Sequence, residues 1–172
     1  GPLPINLGLS GVEERFPDQE QHIQVVSNGF DVSVLDPLIR DVDELSGTIR
    51  SNVLLAGTTQ NPRYSGAITL NKIQFLFGPN NIAYTVSGDL IPAQDKILVN
   101  DLTVRNVPYR GKVGEAHFNG SVLMKNFQLG DFDLRASGQL LLMTEATRKQ
   151  IPAMYGTLFT AIGVDGLRIT GT

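Results

Sequence analysis

Between Leu45 and Leu90 apolar residues recur at every second position: Ile49, Val53 and Leu55; Ile68 and Leu70; Ile73, Phe75 and Phe77; Ile82, Tyr84 and Val86. A period of two over runs this long belongs to strands with one apolar face and one wet face. A short unit punctuates the pattern, at Leu45-Ser46-Gly47, Tyr64-Ser65-Gly66 and Val86-Ser87-Gly88, with Leu55-Ala56-Gly57 as a looser fourth. It returns at Phe118-Asn119-Gly120, Ala136-Ser137-Gly138, Tyr155-Gly156 and Ile169-Thr170-Gly171. The intervals are irregular, which excludes a fixed-period solenoid. Glycine inside a strand costs stability and marks a bend, a bulge or a close approach. One near the start of strand after strand would let a sheet curve.

The rest of the chain extends this reading. Leu3–Leu9 reads as a strand and Val12–Gln21 as a loop. His22–Val26 and Phe30–Leu35 alternate about Ser27-Asn28-Gly29, which fits either a hairpin turn or a bulge in one long strand. Asp36–Glu44 is the helix candidate, two turns long, with Asp36 as cap and Pro37 at the first helical position. Turn residues fall at Thr58–Pro62 and Gly78–Asn81. Lys96–Val99 and Leu102–Val104 carry the alternation on, with Asn100-Asp101 as a bulge that restores the facing. Further strands run through Ala116, Phe118 and Val122, and through Phe132, Leu134, Ala136 and Leu140. Thr144–Pro152 is a loop or one helical turn, and Gly156–Val164 and Leu167–Ile169 are two closing strands. The expectation is an all-β chain of about ten to twelve strands, largely antiparallel because the connections are too short for crossovers.

Several function classes lose support here. A net charge of −3, with Arg148-Lys149 the one adjacent basic pair, leaves no footprint for nucleic acid. With no cysteine there can be no disulfide and no thiolate metal site. No uninterrupted apolar run exceeds four residues, as in Leu140–Met143, against the roughly 20 that span a bilayer as a helix. His22 and His117 sit in separate strands with no supporting motif, and no Gly-x-Ser-x-Gly elbow occurs. Asp131 and Asp133 fit a solvent face better than a catalytic pair, and Asp41, Asp43 and Glu44 match no calcium loop. No enzyme activity, cofactor or metal is expected. Gly1-Pro2 reads as the scar of a cleaved tag and residues 3–172 as a single β domain, a fragment of a longer protein.

The order and spacing of these units resemble the C-terminal domain of the TamB family (translocation and assembly module), in its Bacteroidetes-like form. The likeness rests on "LSGTIRSNVLLAGTTQNPRYSGAITLNKIQF", then "IAYTVSGDL", "ILVNDLTVRN", "AHFNGSV" and "MYGTLFTAIGVDGLRITGT", over roughly Leu45–Thr172. The resemblance implies an elongated, curved, largely antiparallel sheet folded into a half-open groove with an apolar concave face. It also implies a place among AsmA-like, bridge-like lipid-transfer proteins. Such proteins lie in the periplasm, anchored in the inner membrane by a segment absent here, and meet an Omp85-type outer-membrane barrel protein. The function so implied is passage of phospholipid acyl chains between the two membranes.

A sheet with a continuous apolar face must bury it on something. The residues expected to line such a groove are Ile68, Leu70, Ile73, Phe75, Phe77, Ile82, Tyr84, Val86, Ile97, Val99, Leu102, Val104, Phe118, Val122, Leu134 and Ile162. The same residues could instead fill an ordinary sandwich core. Two other functions compete: an assembly scaffold that pairs its open edges with unfolded outer-membrane proteins, and a purely structural β-module.

Overall fold

A computed structural model describes residues 19–58, 60–125, 128–149, 151 and 156–171. Eight strands follow one another as a meander: β1 (Glu20–Asp31), β2 (Val42–Thr58), β3 (Pro62–Phe77), β4 (Ile82–Gln94), β5 (Lys96–Asn106), β6 (Glu115–Lys125), β7 (Gln128–Met143) and β8 (Leu158–Gly171). Each pairs antiparallel with the next, in one open sheet ordered as the chain is. The all-β, antiparallel expectation holds.

The described strands are fewer and longer than expected, because bulges join segments that the alternation alone divides. β1 runs through Asn28-Gly29 with a register shift between Ser27 and Phe30, so the bulge reading applies and the hairpin does not. β5 runs through Asn100-Asp101, with Asp101 at φ 48 and Val99 and Leu102 returned to one face as expected. β8 unites the two closing strands. The turns at Thr58–Pro62 and Gly78–Asn81 fall where the turn residues put them. The expected strand Leu3–Leu9 and most of Val12–Gln21 lie outside the described residues; Glu20 and Gln21 open β1.

The short helix stands earlier than expected and has another cap. Val32–Leu38 forms a 3-10 helix capped by Asp31, whose side chain accepts from Ser33 N at 2.9 Å. It replaces the end of the expected strand Phe30–Leu35, and β2 has already begun at Val42. Asp36 does not cap; its Oδ1 accepts from Leu45 N at 2.9 Å and ties the helix to β2. Burial decides this placement: Val32, 2% exposed, packs on Leu45 and Ile73, with Leu35 beside it. A second 3-10 helix, Glu145–Lys149, occupies the expected loop-or-turn segment.

The recurrent glycines bring neighbouring strands close. Gly66 of β3 has φ +126, and a Cβ there would collide with the Asn52 carbonyl and the Val53 Cα of β2. Gly120 of β6 makes the same approach to Asp133 and Leu134 of β7. The sheet also rolls over its apolar side. Tyr84 Oη in β4 donates to Leu141 O in β7 at 2.7 Å. β5 and β6 lie between them in the sheet order. Three interstrand steps would span about 14 Å on a flat sheet, so the bond requires curvature.

Candidate functional site

Residues directly opposite each other in an antiparallel pair point to the same face, so the register assigns the faces. One ladder runs Ile73, Val86, Val104, Ala116, Gly138, Ile162 across β3 to β8. Another runs Ile68, Leu90, Val99, Gly120, Leu134, Ile169. Leu102 faces Phe118, Ile97 faces Val122, Phe75 faces Tyr84, and Phe77 faces Ile82. Leu70 joins the same face because the bulge at Lys72 (φ 50) restores the facing between Leu70 and Ile73. All the residues expected to line a groove therefore share one face of the sheet.

Along that face they do not share one environment. Where the first 3-10 helix packs on the sheet, Val32, Leu45 and Ile73 form a closed cluster, with Leu70, Phe75 and Val86 packed against it. A second cluster, Ile82, Tyr84 and Leu141, gathers Phe75, Val104, Leu140 and Phe159 where the sheet rolls over. Burial pushes the Tyr84 phenol above its ordinary pKa, partly opposed by the hydrogen bond from Asn80. Ile73, Ile82, Tyr84 and Val99 are buried, and these positions are core.

Between β6, β7 and β8 the same face opens into a cleft of about 210 Å³. Phe118 and Ile162, both expected groove residues, line it with Ala116, Ala136, Leu140 and Ile169. The register explains the space. Ala116 lies opposite Gly138 on one ladder, and Ala136 lies opposite Phe118 on the next. Three small residues at adjoining positions leave a hollow that larger side chains surround. Thr160 brings the one hydroxyl, and it donates to Leu140 O at 3.2 Å. The remaining walls are apolar.

Sequence reasoning missed Ala116, Ala136, Leu140 and Ile169 as lining residues, although Ala136-Ser137-Gly138 was visible as a repeat unit. Small residues give no hydrophobic signal of their own. Asn106 was missed as well. It is 2% exposed, and its Oδ1 accepts from Gly114 N at 2.8 Å and Leu141 N at 3.2 Å. It thereby ties the end of β5 to β7 beyond the point where β6 begins.

The opposite face is polar. His117 in β6 bonds Asp101 through Nδ1 at 2.9 Å and Glu115 through Nε2 at 3.1 Å, and Glu115 also pairs with Arg105. Arg105 holds the Glu115 carboxyl below its usual range, and Asp101 first, then Glu115, holds the His117 imidazole above its own. Asp133 pairs with Arg168 through both carboxylate oxygens, at 2.8 and 2.7 Å. Among the described residues no group of three metal-ligating side chains converges.

No protein-family model, no curated protein and no solved structure matches the chain. Among the described residues no helix is long and apolar enough to cross a membrane.

Proposed function

We propose that this chain is a segment of a hydrophobic groove that takes up acyl chains, in the manner of the TamB-like proteins its sequence resembles. The observation that carries the reading is the cleft between β6, β7 and β8, with almost no polar lining, where an apolar face that is sealed core at β3 and β4 opens. An engineered apolar cavity of about 150 Å³ holds benzene, so a space of 210 Å³ accepts part of an alkyl chain. Each buried methylene contributes about 0.8 kcal/mol, and interchangeable aliphatic walls give successive methylenes similar affinity. That flat profile favours sliding over tight retention. In this reading the protein works in the periplasm on phospholipid acyl chains, held to the inner membrane by a segment beyond these residues, with an Omp85-type barrel as its outer-membrane partner.

Native mass spectrometry of the purified protein, followed by lipid extraction, tests the proposal. Co-purifying phospholipid that is lost in a folded Phe118→Asp variant supports it, and a lipid-free protein that ignores added acyl chains refutes it.

A second reading has its own observation. Among the described residues β8 pairs on one side alone, with β7. An unpaired edge can add a strand from an unfolded outer-membrane protein. Peptides of barrel strands that protect β8 amides from exchange would favour this scaffold role.

A further inference from the structure

The polar face carries a second and larger cavity, of about 530 Å³, over β3, β4 and β5. Its floor is built from two ladders. Gln74, Thr85 and Arg105 lie opposite one another in turn, and beside them Ser87 lies opposite Thr103. Its wall is the hairpin between β5 and β6, which presents Val107, Pro108 and Val113 to the cavity. The wall is fixed at both ends. Tyr109 and Lys112 exchange backbone bonds at 2.9 and 3.0 Å around Arg110 and Gly111, both at positive φ, as in a tight primed turn. At its base Val107 N donates to Ala83 O at 3.0 Å and Asn106 N to Gly114 O at 3.2 Å.

Lys72 reaches this cavity from the bulge in β3. Bulges re-aim side chains and are frequent beside functional sites. Here the left-handed backbone of Lys72, at φ 50, is held by its N–H donating to Ser87 Oγ at 3.1 Å. Among the described residues the Lys72 ammonium, the Gln74 amide and the Thr85 hydroxyl form no hydrogen bond or ion pair. Arg105 gives its Nε to Glu115, leaving its terminal nitrogens as donors. The neighbouring acids are engaged: Glu115 by Arg105 and His117, Asp101 by His117, and Asp89 by the Thr69 hydroxyl at 2.7 Å. The Thr103 hydroxyl is turned to Asp101 O at 3.5 Å and His117 Nδ1 at 3.4 Å, so two cations and the hydroxyls of Thr85 and Ser87 face one space, opposite a wall whose valines, Val107 and Val113, are 43% and 48% exposed.

We propose that this cavity binds the phosphate ester of a small polyol, with the phosphate between Lys72 and Arg105. The ligand hydroxyls would bond Thr85 and Ser87, and its C–H face would lie on the hairpin valines. The volume falls within the roughly 300–1,000 Å³ of small-molecule sites. The site is on the opposite face from the acyl cleft and does not rest on the groove reading. The same chemistry occurs in free glycerol phosphate and in the headgroup of a glycerophospholipid.

Titration of the ¹⁵N-labelled protein with glycerol 3-phosphate, and flotation with phosphatidylglycerol vesicles, distinguish the two sources. Saturable shifts at Lys72, Thr85 and Ser87 with no flotation assign a free ligand; flotation that depends on Lys72 assigns a headgroup. In either case Lys72→Gln should weaken binding at least tenfold without moving the urea midpoint. Lys72→Asn, which suits the left-handed backbone, repeats the charge loss should Gln unsettle the bulge. Absence of binding to both probes overturns the proposal, as does binding that neither variant alters.

Discussion

Ile162→Asp and Ile82→Asp put one carboxylate at two places on the same apolar face, and their consequences should differ in kind. Ile82 is 5% exposed and packed with Tyr84 and Leu141. Removing its side chain forfeits roughly 1.5–3 kcal/mol of burial. An unpaired carboxylate there adds several kcal/mol. The total, about 5 kcal/mol or more, reaches the lower part of the roughly 5–15 kcal/mol that holds a domain folded. Ile162 is half-buried, lies opposite Gly138, and borders the cleft. Its carboxylate keeps access to water, so the cost is about half the burial term, near 1 kcal/mol. Urea denaturation followed by circular dichroism should show Ile82→Asp unfolded in buffer and Ile162→Asp folded with a modestly lowered midpoint. A fluorescent fatty acid should bind Ile162→Asp at least tenfold more weakly than the unaltered protein, since the charge must be desolvated when the alkyl chain enters. If Ile162→Asp unfolds as Ile82→Asp does, the cleft is closed core. If it folds and binds the probe unchanged, the acyl site is not there.

Other outcomes follow from particular contacts. Asn106→Ala leaves the N–H groups of Gly114 and Leu141 without their acceptor, and should lower stability by about 2–4 kcal/mol in urea titration. Gly66→Ala should destabilise by more than about 1 kcal/mol, because the new Cβ meets the Asn52 carbonyl at a positive φ, whereas Gly163→Ala, with nothing within 4 Å, should leave the midpoint near its original value. His117 carries a raised pKa in the folded state, owed first to the Asp101 hydrogen bond. Its contribution is therefore complete below the unfolded value of about 6.5 and disappears as pH rises through the folded one. An NMR titration of the ring should give a midpoint above the ordinary imidazole range in the unaltered protein and a lower one in Asp101→Asn, which suits the left-handed backbone at that position.

Much of this fold could be read from the chain. Alternation fixes the facing of a strand because side chains change sides at every residue, so the residues expected to share a face do share it. At Asn100-Asp101 even the bulge that keeps Val99 and Leu102 together was legible, since the apolar spacing there skips a residue. The glycine units marked a bend, a bulge or a close approach without separating them, and at Gly66 and Gly120 a neighbouring backbone occupies the space a Cβ would need.

Local pattern failed where distant burial competes with it. Asp36-Pro37 has the chemistry of a helix start, yet the helix comes earlier because Val32 gains a place against Leu45 and Ile73, and Asp36 is drawn to Leu45 N instead. Periodicity also cannot separate core from cleft. Ile73 and Ile162 lie on one ladder and carry the same side chain, but a 3-10 helix covers the first while Ala116 and Gly138 leave room beside the second. The sequence by itself determined which residues face together, because that depends on neighbours two positions apart. Which part of the face is sealed and which is open was decided by the tertiary structure alone, because it depends on what folds over each position from far along the chain.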